Sequence, residues 1–487
     1  MPPLQSHMPQ ISSTNPPIHI PKALIWVQCI AFMVLYGFWI LPEIVGFRNT
    51  ALVIGALAGL YPIYQYRSYF LQKRAIPIWL IVGLFAWATF HLLFLSQDYA
   101  LQRLEYKRIW KYAAIGAIFA LGLGLSLANA NANNKAKANT NNQDQGSPFW
   151  PVIYLGLCLP VLTYLLKYVL TTYGASLGIQ VPAYLQIYPS SQPFYVPKTD
   201  YVAFCLPVLA ISLGQIGSLV AGHGRLKPRQ FLALGVYLGI IAATLFLFYV
   251  QNIKNGMAYA MLCMTLFAIL LFIGSHSGKW WRKGLMVFSV TAILGVALYP
   301  HIQKNETWRT LIADTKIAFQ LDKFQQWKYA GAQGYPNNEF GTMVSITNYE
   351  RAAWFKVGVK LALQTPLGYG LVEDSFKKMA KSNWPEVSPN LSHSHSGWLD
   401  VILAVGFPGF FCILGALVGA IALSRSTLEP WRPLVFWSLI SNLMLWVTTE
   451  VSATISFATL IFWVSWAGGL MFIAGNGKGK APGESRE

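Results

Sequence analysis

The sequence predicts an all-α polytopic membrane protein with about twelve transmembrane helices and one long helical extracytoplasmic loop between spans nine and ten. Three observations predict it. Of 487 residues, 55% are hydrophobic and only 11% charged, with a mean hydropathy of +0.44, whereas a soluble chain carries roughly a quarter charged residues. Apolar runs of about 20 residues, the length that crosses a ~30 Å hydrocarbon core, recur along the chain. Lys and Arg gather in the short connections between those runs, as the positive-inside bias expects.

Taken in order, the polar and proline-rich residues 1–22 have no basic stretch ahead of a short apolar core. They read as a cytoplasmic tail rather than a cleavable signal, with the first span as anchor. Spans one to nine are expected at 23–42, 49–66, 76–96, 109–128, 150–172, 201–221, 230–250, 257–274 and 285–301. Between spans four and five, the low-complexity stretch 129–149 reads as a flexible cytoplasmic linker. Spans ten to twelve are expected at 397–423, 434–451 and 454–475, followed by a cytoplasmic tail at 476–487.

Orientation follows from the short connections. Arg67, Lys73 and Arg74, then Arg225, Lys227 and Arg229, then Lys279, Arg282 and Lys283, then Arg425 and Arg432, and finally Lys478, Lys480 and Arg486 all fall on one side if both termini are cytoplasmic. The connection holding Arg103, Lys107 and Arg108 dissents.

The segment 302–396 is far longer than any other connection and lies on the opposite side. Its stretch WFKVGVKLALQ (Trp354–Gln364) has apolar residues at helical spacing, and Pro366, Gly368 and Gly370 then break that helix. A long segment with helices of its own is usually functional, and this one is expected to lie over the membrane as a lid.

Composition also excludes. The formal charge of +18 is explained by the inter-span Lys and Arg, so no nucleic-acid partner is implied. The five cysteines (Cys29, Cys158, Cys205, Cys263, Cys412) sit inside apolar runs without C-x-x-C spacing and read as small core residues. Phosphate-loop and zinc-protease motifs are lacking. Two histidines, His393 and His395, stand in LSHSHSGWLDVILAVGFPGF (Leu391–Phe410), and nothing near them in sequence completes a metal site.

Counting from His395 is informative. His395-Ser396 is followed by nine residues and then Gly406-Phe-Pro-Gly409. Upstream, YERAAWFKVGVKLALQTPLGYGLVEDSF (Tyr349–Phe376) places an Arg and a Trp ahead of a helix that ends in P-x-G-x-G. These motifs, in this order beside a long late loop, resemble the O-antigen ligase family and the related O-antigen polymerases and O-linked oligosaccharyltransferases. His393 does not fit the register, and His395 does.

The resemblance implies a glycosyltransferase of the bacterial inner membrane, with both termini cytoplasmic and its active site facing the periplasm. The donor would be undecaprenyl diphosphate-linked O-antigen and the acceptor lipid A-core, within lipopolysaccharide biosynthesis. Membrane lipids are the only other partners implied, and neither metal nor other cofactor is required. His395 would be the catalytic base, since an imidazole can take the proton of a sugar hydroxyl near neutral pH. Fixed cations would neutralise the departing diphosphate: Arg351, which matches the family's Arg, then Arg309, then Lys254. Lys254 and Asn255 stand where the family usually has an Arg, and a Lys offers a point charge instead of a fork. Asp400 and Glu450 are acids at span ends, expected to face a cavity or a partner. Gly406, Pro408 and Gly409 are expected to kink and pack the helix beneath the site. A polymerase or a protein O-oligosaccharyltransferase would use the same donor. A secondary transporter or lipid flippase is a different class, but these carry internal repeats, and none is evident here.

Overall fold

The computed structural model describes residues 20–141, 147–187, 194–221, 227–274, 299, 309–448 and 456–472. The first nine helices are α1 (Lys22–Phe38), α2 (Val45–Gln65), α3 (Ile76–Phe94), α4 (Tyr99–Glu105), α5 (Lys111–Asn141), α6 (Trp150–Tyr173), α7 (Lys198–Ala221), α8 (Pro228–Val250) and α9 (Lys254–Gly274). Three shorter or more polar helices follow, α10 (Leu311–Ala318), α11 (Ile346–Gln364) and α12 (Ser375–Asn383). The apolar helices α13 (Gly397–Leu423), α14 (Trp431–Leu445) and α15 (Ala458–Leu470) are the last among the described residues. Among the described residues the one strand-like pairing is an isolated bridge between Asn337 and Met343.

Among the described residues seven helical segments are long and apolar enough to cross a membrane, which makes this an integral helical membrane protein. The others that match expected spans fall short for identifiable reasons. Polar Arg48, Asn49 and Thr50 open α2, and α1, α14 and α15 have 17, 15 and 13 residues. The expected ninth span, 285–301, and Glu450 lie outside the described residues, apart from Tyr299.

Helix α5 is the axis of the bundle. A Cβ on Gly122 would lie 2.3 Å from Gly59 Cα of α2, and one on Gly124 would lie 2.8 Å from Gly469 Cα of α15. Small residues let backbones touch, and between helices in lipid such close packing is the main source of attraction. The expected linker at 129–149 begins as helix, because α5 continues to Asn141. The Ala-rich run ANANANNKAKA extends an already nucleated helix, and adding a residue is far cheaper than starting one. Asn129 accepts from Tyr66 Oη at 2.6 Å and Asn131 donates to the Glu429 carbonyl at 2.7 Å, so the start of this run packs against neighbouring connections.

The segment between α9 and α13 has a core of its own, in which Trp327, Tyr349, Trp354, Val357, Leu361, Phe376 and Met379 pack on Leu399 and Leu403 at the start of α13. Its polar centre is Asp314 of α10, which is fully buried. That carboxylate accepts from Thr310 Oγ1 (2.6 Å), Asn338 Nδ2 (3.0 Å), the Ser345 N–H (3.2 Å) and Asn348 Nδ2 (2.9 Å). Four donors offset the burial of one charge and tie α10 to α11.

The connection that dissents from the charge rule meets this domain. Buried Glu105 accepts the Val372 and Glu373 N–H groups at 2.6 and 3.2 Å, Arg108 pairs with Glu373, and Lys378 pairs with Asp98 at 3.2 Å. The Leu101 N–H, and after it Lys378, hold the Asp98 carboxyl below the usual carboxylate range. Of the connection's cations, Arg108 is thus matched by an acid of the domain.

Candidate functional site

Helix α13 begins at a turn with unusual geometry. His395 has φ +59°, a left-handed conformation that a non-glycine residue seldom adopts. The buried Asp400 carboxylate pins that turn: Oδ1 accepts the Ser394 N–H at 2.9 Å and lies 2.6 Å from Ser394 Oγ, while Oδ2 lies 3.9 Å from His393 Nδ1. Asp400 therefore acts on the turn through Ser394, and His393 stands beside Asp400. Strain of this kind costs about 1–3 kcal/mol and persists where surrounding contacts over-determine it.

The His395 ring lies nearly parallel to Trp354 of α11, with centroids 5.0 Å apart and planes 10° apart. Trp354 is itself fixed, since its Nε1 donates to the Trp327 carbonyl at 2.9 Å. One turn earlier on α11 is Arg351.

These side chains open onto a cavity of about 520 Å³ that brings His395 and Arg351 together with Lys254 and Asn255 from the start of α9. Three of the residues singled out from the sequence thus share one space, although 141 positions separate Lys254 from His395. Arg309 does not line it; it is exposed just ahead of α10, whose Leu311 and Thr315 supply that wall instead. Tyr259, Asn348 and Thr448 also line the cavity. Tyr259 Oη and Thr448 Oγ1 are 2.6 Å apart, which joins α9 to the end of α14. Single polar residues at helix ends are common, and nothing in the sequence sets Tyr259 or Thr448 apart. Trp354 stands in the upstream motif and Asn348 one residue ahead of it, where their partners are not legible. Among the described residues no three His, Cys, Asp or Glu side chains come together as a metal site.

Beneath the site, α13 breaks. Gly406 has φ +67° and ψ −177°, far from helical values. The break frees backbone groups inside the apolar bundle, and four of them find partners outside the helix. Tyr369 N–H donates to the Leu403 carbonyl and Gly370 N–H to the Ala404 carbonyl, both at 2.8 Å, and Phe407 N–H donates to the Pro366 carbonyl at 2.9 Å. Trp87 of α3 donates to the Val405 carbonyl at 2.6 Å. In an apolar medium such groups must be satisfied internally. The P-x-G-x-G segment and the G-x-x-G segment are thus two halves of one backbone splice. A Cβ on Gly368 would lie 2.4 Å from the Gly406 nitrogen, and one on Gly406 2.3 Å from the Leu367 carbonyl carbon.

An apolar helical bundle with a small folded domain on one face, and a cationic, histidine-bearing cavity where the two meet, defines an integral membrane protein with a candidate site between bundle and domain. Residues 255–414 match the model of the O-antigen ligase family, so the chain carries a domain of that family. The match runs from the second residue of α9 past Gly406 and Gly409, taking in Arg351 and His395, with Lys254 one residue ahead of it. The family consists of transferase-type ligases and polymerases that handle polysaccharide and lipid substrates. No curated protein matches the chain.

Proposed function

We propose that the protein is an O-antigen ligase that transfers O-antigen from undecaprenyl diphosphate to lipid A-core. Twelve spans would place it in the inner membrane with both termini cytoplasmic and the cavity facing the periplasm. The observation that carries this reading is the shared cavity of His395, Arg351 and Lys254. A hydroxyl oxygen of the acceptor attacks the anomeric carbon of the donor, and the bond from that carbon to the diphosphate breaks. His395 takes the hydroxyl proton, and the lipid diphosphate leaves as an anion held by Arg351 and Lys254. A single displacement inverts the anomeric centre. Trp354 holds the imidazole face and Asp400 the turn, so the base is positioned before substrate arrives.

His395→Ala is expected to abolish transfer in proteoliposomes supplied with lipid-linked donor and lipid A-core, with donor binding retained. Transfer at the wild-type rate by that variant refutes the mechanism. Arg351→Lys is expected to weaken donor binding, because a point charge replaces a fork. The acceptor is tested separately in a deletion strain. Uncapped lipid A-core with polymer accumulating on the carrier supports the ligase, core bearing one repeat indicates a polymerase, and unchanged lipopolysaccharide with unglycosylated protein indicates a protein transferase.

A further inference from the structure

Helix α11 is apolar on two sides. One side, including Trp354, Val357 and Leu361, packs into the domain core. On the other, Phe355, Val359, Leu363 and then Leu367 form an exposed stripe at four-residue spacing, with Leu363 70% exposed. Lys356, Lys360 and Gln364 run exposed alongside it. In water such a stripe would be an unexplained liability, and its position supplies the explanation.

The end of α11 is spliced into the interior of a transmembrane helix. Leu367 contacts the break at Gly406, nine residues into α13, or roughly 13 Å along its axis at 1.5 Å per residue. The same segment meets α3, where His91 Nε2 lies 3.3 Å from the Gly368 carbonyl. There α3 turns Phe90 and Phe94 outwards, and past the break α13 exposes Phe411. The stripe thus descends towards the lipid-facing surface of the bundle. Beside it, the Lys360 ammonium sits over the Trp384 ring at 5.4 Å, a Lys–Trp pairing suited to the headgroup level.

From this splice, stripe and lysine edge, we infer that α11 lies partly immersed in the leaflet on the domain side. Its partner is the lipid itself. Phe355, Val359, Leu363 and Leu367 contact acyl chains, deepest at Leu367, and Lys356 and Lys360 meet lipid phosphates. The segment is then a wedge set into the membrane, where the sequence suggests a lid above it. Arg351, Ala352 and Phe355 also line the cavity, so its mouth opens at the level of the headgroups. None of this depends on which reaction the cavity performs.

The test is depth measurement by electron paramagnetic resonance on the full chain with Cys412→Ser, in nanodiscs of phosphatidylethanolamine and phosphatidylglycerol. Nitroxides are placed singly through Val359→Cys, Lys360→Cys and Leu363→Cys, with exposed Lys323→Cys as the aqueous reference. The ratio of oxygen to nickel-chelate accessibility is expected to be several-fold higher at 359 and 363 than at 323, with 360 between them. A ratio at 363 equal to that at 323 overturns the inference. So does shielding from both reagents at 359 and 363, which would mean that protein covers the stripe. Labels at two stripe positions keep the test decisive if either variant fails to fold.

Discussion

Replacing Gly406 by Ala tests the backbone splice most directly. The φ of +67° with ψ −177° is a conformation essentially reserved for glycine, so an L-residue there costs about 1–3 kcal/mol. The new Cβ would also stand 2.3, 2.5 and 2.6 Å from the Leu367 carbonyl carbon, oxygen and Cα. Those are backbone atoms, so no rotamer change relieves the overlap and the 366–370 segment must move. Three backbone hydrogen bonds of 2.8–2.9 Å hold that segment. Exposing even one of their groups in a water-poor interior costs about 1–3 kcal/mol more. The expected loss is therefore about 2–6 kcal/mol. Gly419→Ala, on the same helix, is the control: its Cβ would meet only Pro77 Cγ at an ordinary 3.6 Å, and the gain in helix propensity is up to about 1 kcal/mol. Titration with SDS in mixed micelles, followed by tryptophan fluorescence, should unfold Gly406→Ala at a lower detergent fraction than wild type and Gly419→Ala at the same fraction or a higher one. Coincident curves for the two variants would refute the splice.

Asp314→Asn replaces a carboxylate oxygen that accepts hydrogen bonds with an amide nitrogen that cannot. The expected destabilisation is about 2–5 kcal/mol, read as faster protease cleavage within 310–345; an unchanged cleavage rate refutes the hub. For pH, the hydrogen bond from Lys328 at 2.5 Å is the main cause that holds the Glu386 carboxyl below the ordinary value of 4.5. A depressed folded pKa stabilises the domain above the unfolded value and ceases to do so as pH falls through the folded one. Glu386→Gln should therefore lower domain stability at pH above 4.5 and match wild type in stronger acid, measured by the midpoint of domain unfolding against pH. An equal gap between the two at all pH values contradicts the pairing.

The fold class was legible because lipid imposes a composition, and apolar runs of spanning length need no partner to be recognised. The site was legible in part for a similar reason: counting from Gly406 separated His395 from His393, and Arg351 was marked by its place before the Trp-containing helix. What stayed hidden depends on partners distant in the chain. Nothing local says that Trp354 would face His395, that Leu311 and Thr315 rather than Arg309 would line the cavity, or that Glu105 would meet Val372. The dissenting charge of Arg108 was visible, but its cause, Glu373, lies 265 positions away. The helical extension of α5 was masked by its Asn content, which reads as loop until the preceding span is counted as its nucleus.

The fixed interval between His395-Ser396 and Gly406 also acquires a physical meaning. α11 is attached to α13 at two levels. At the start of α13 Trp354 meets His395, and roughly 13 Å along the helix Pro366–Gly370 meets the break at Leu403–Phe407. Both attachments can hold only if the intervening stretch of α13 has one length and one rotation. Inserting a single Ala between Val401 and Ile402 would turn everything below it by about 100° and shift it by about 1.5 Å relative to the His395 turn. Either the Asp400–Ser394 turn or the carbonyl partners of Tyr369 and Gly370 would then be lost, and Arg351 would no longer share a wall with His395. The expected outcome is loss of transfer together with a lower unfolding point in SDS. An insertion between Gly419 and Ala420, below the break, leaves both attachments in register and should retain transfer. Full transfer with the upper insertion would show that the interval carries no geometric constraint.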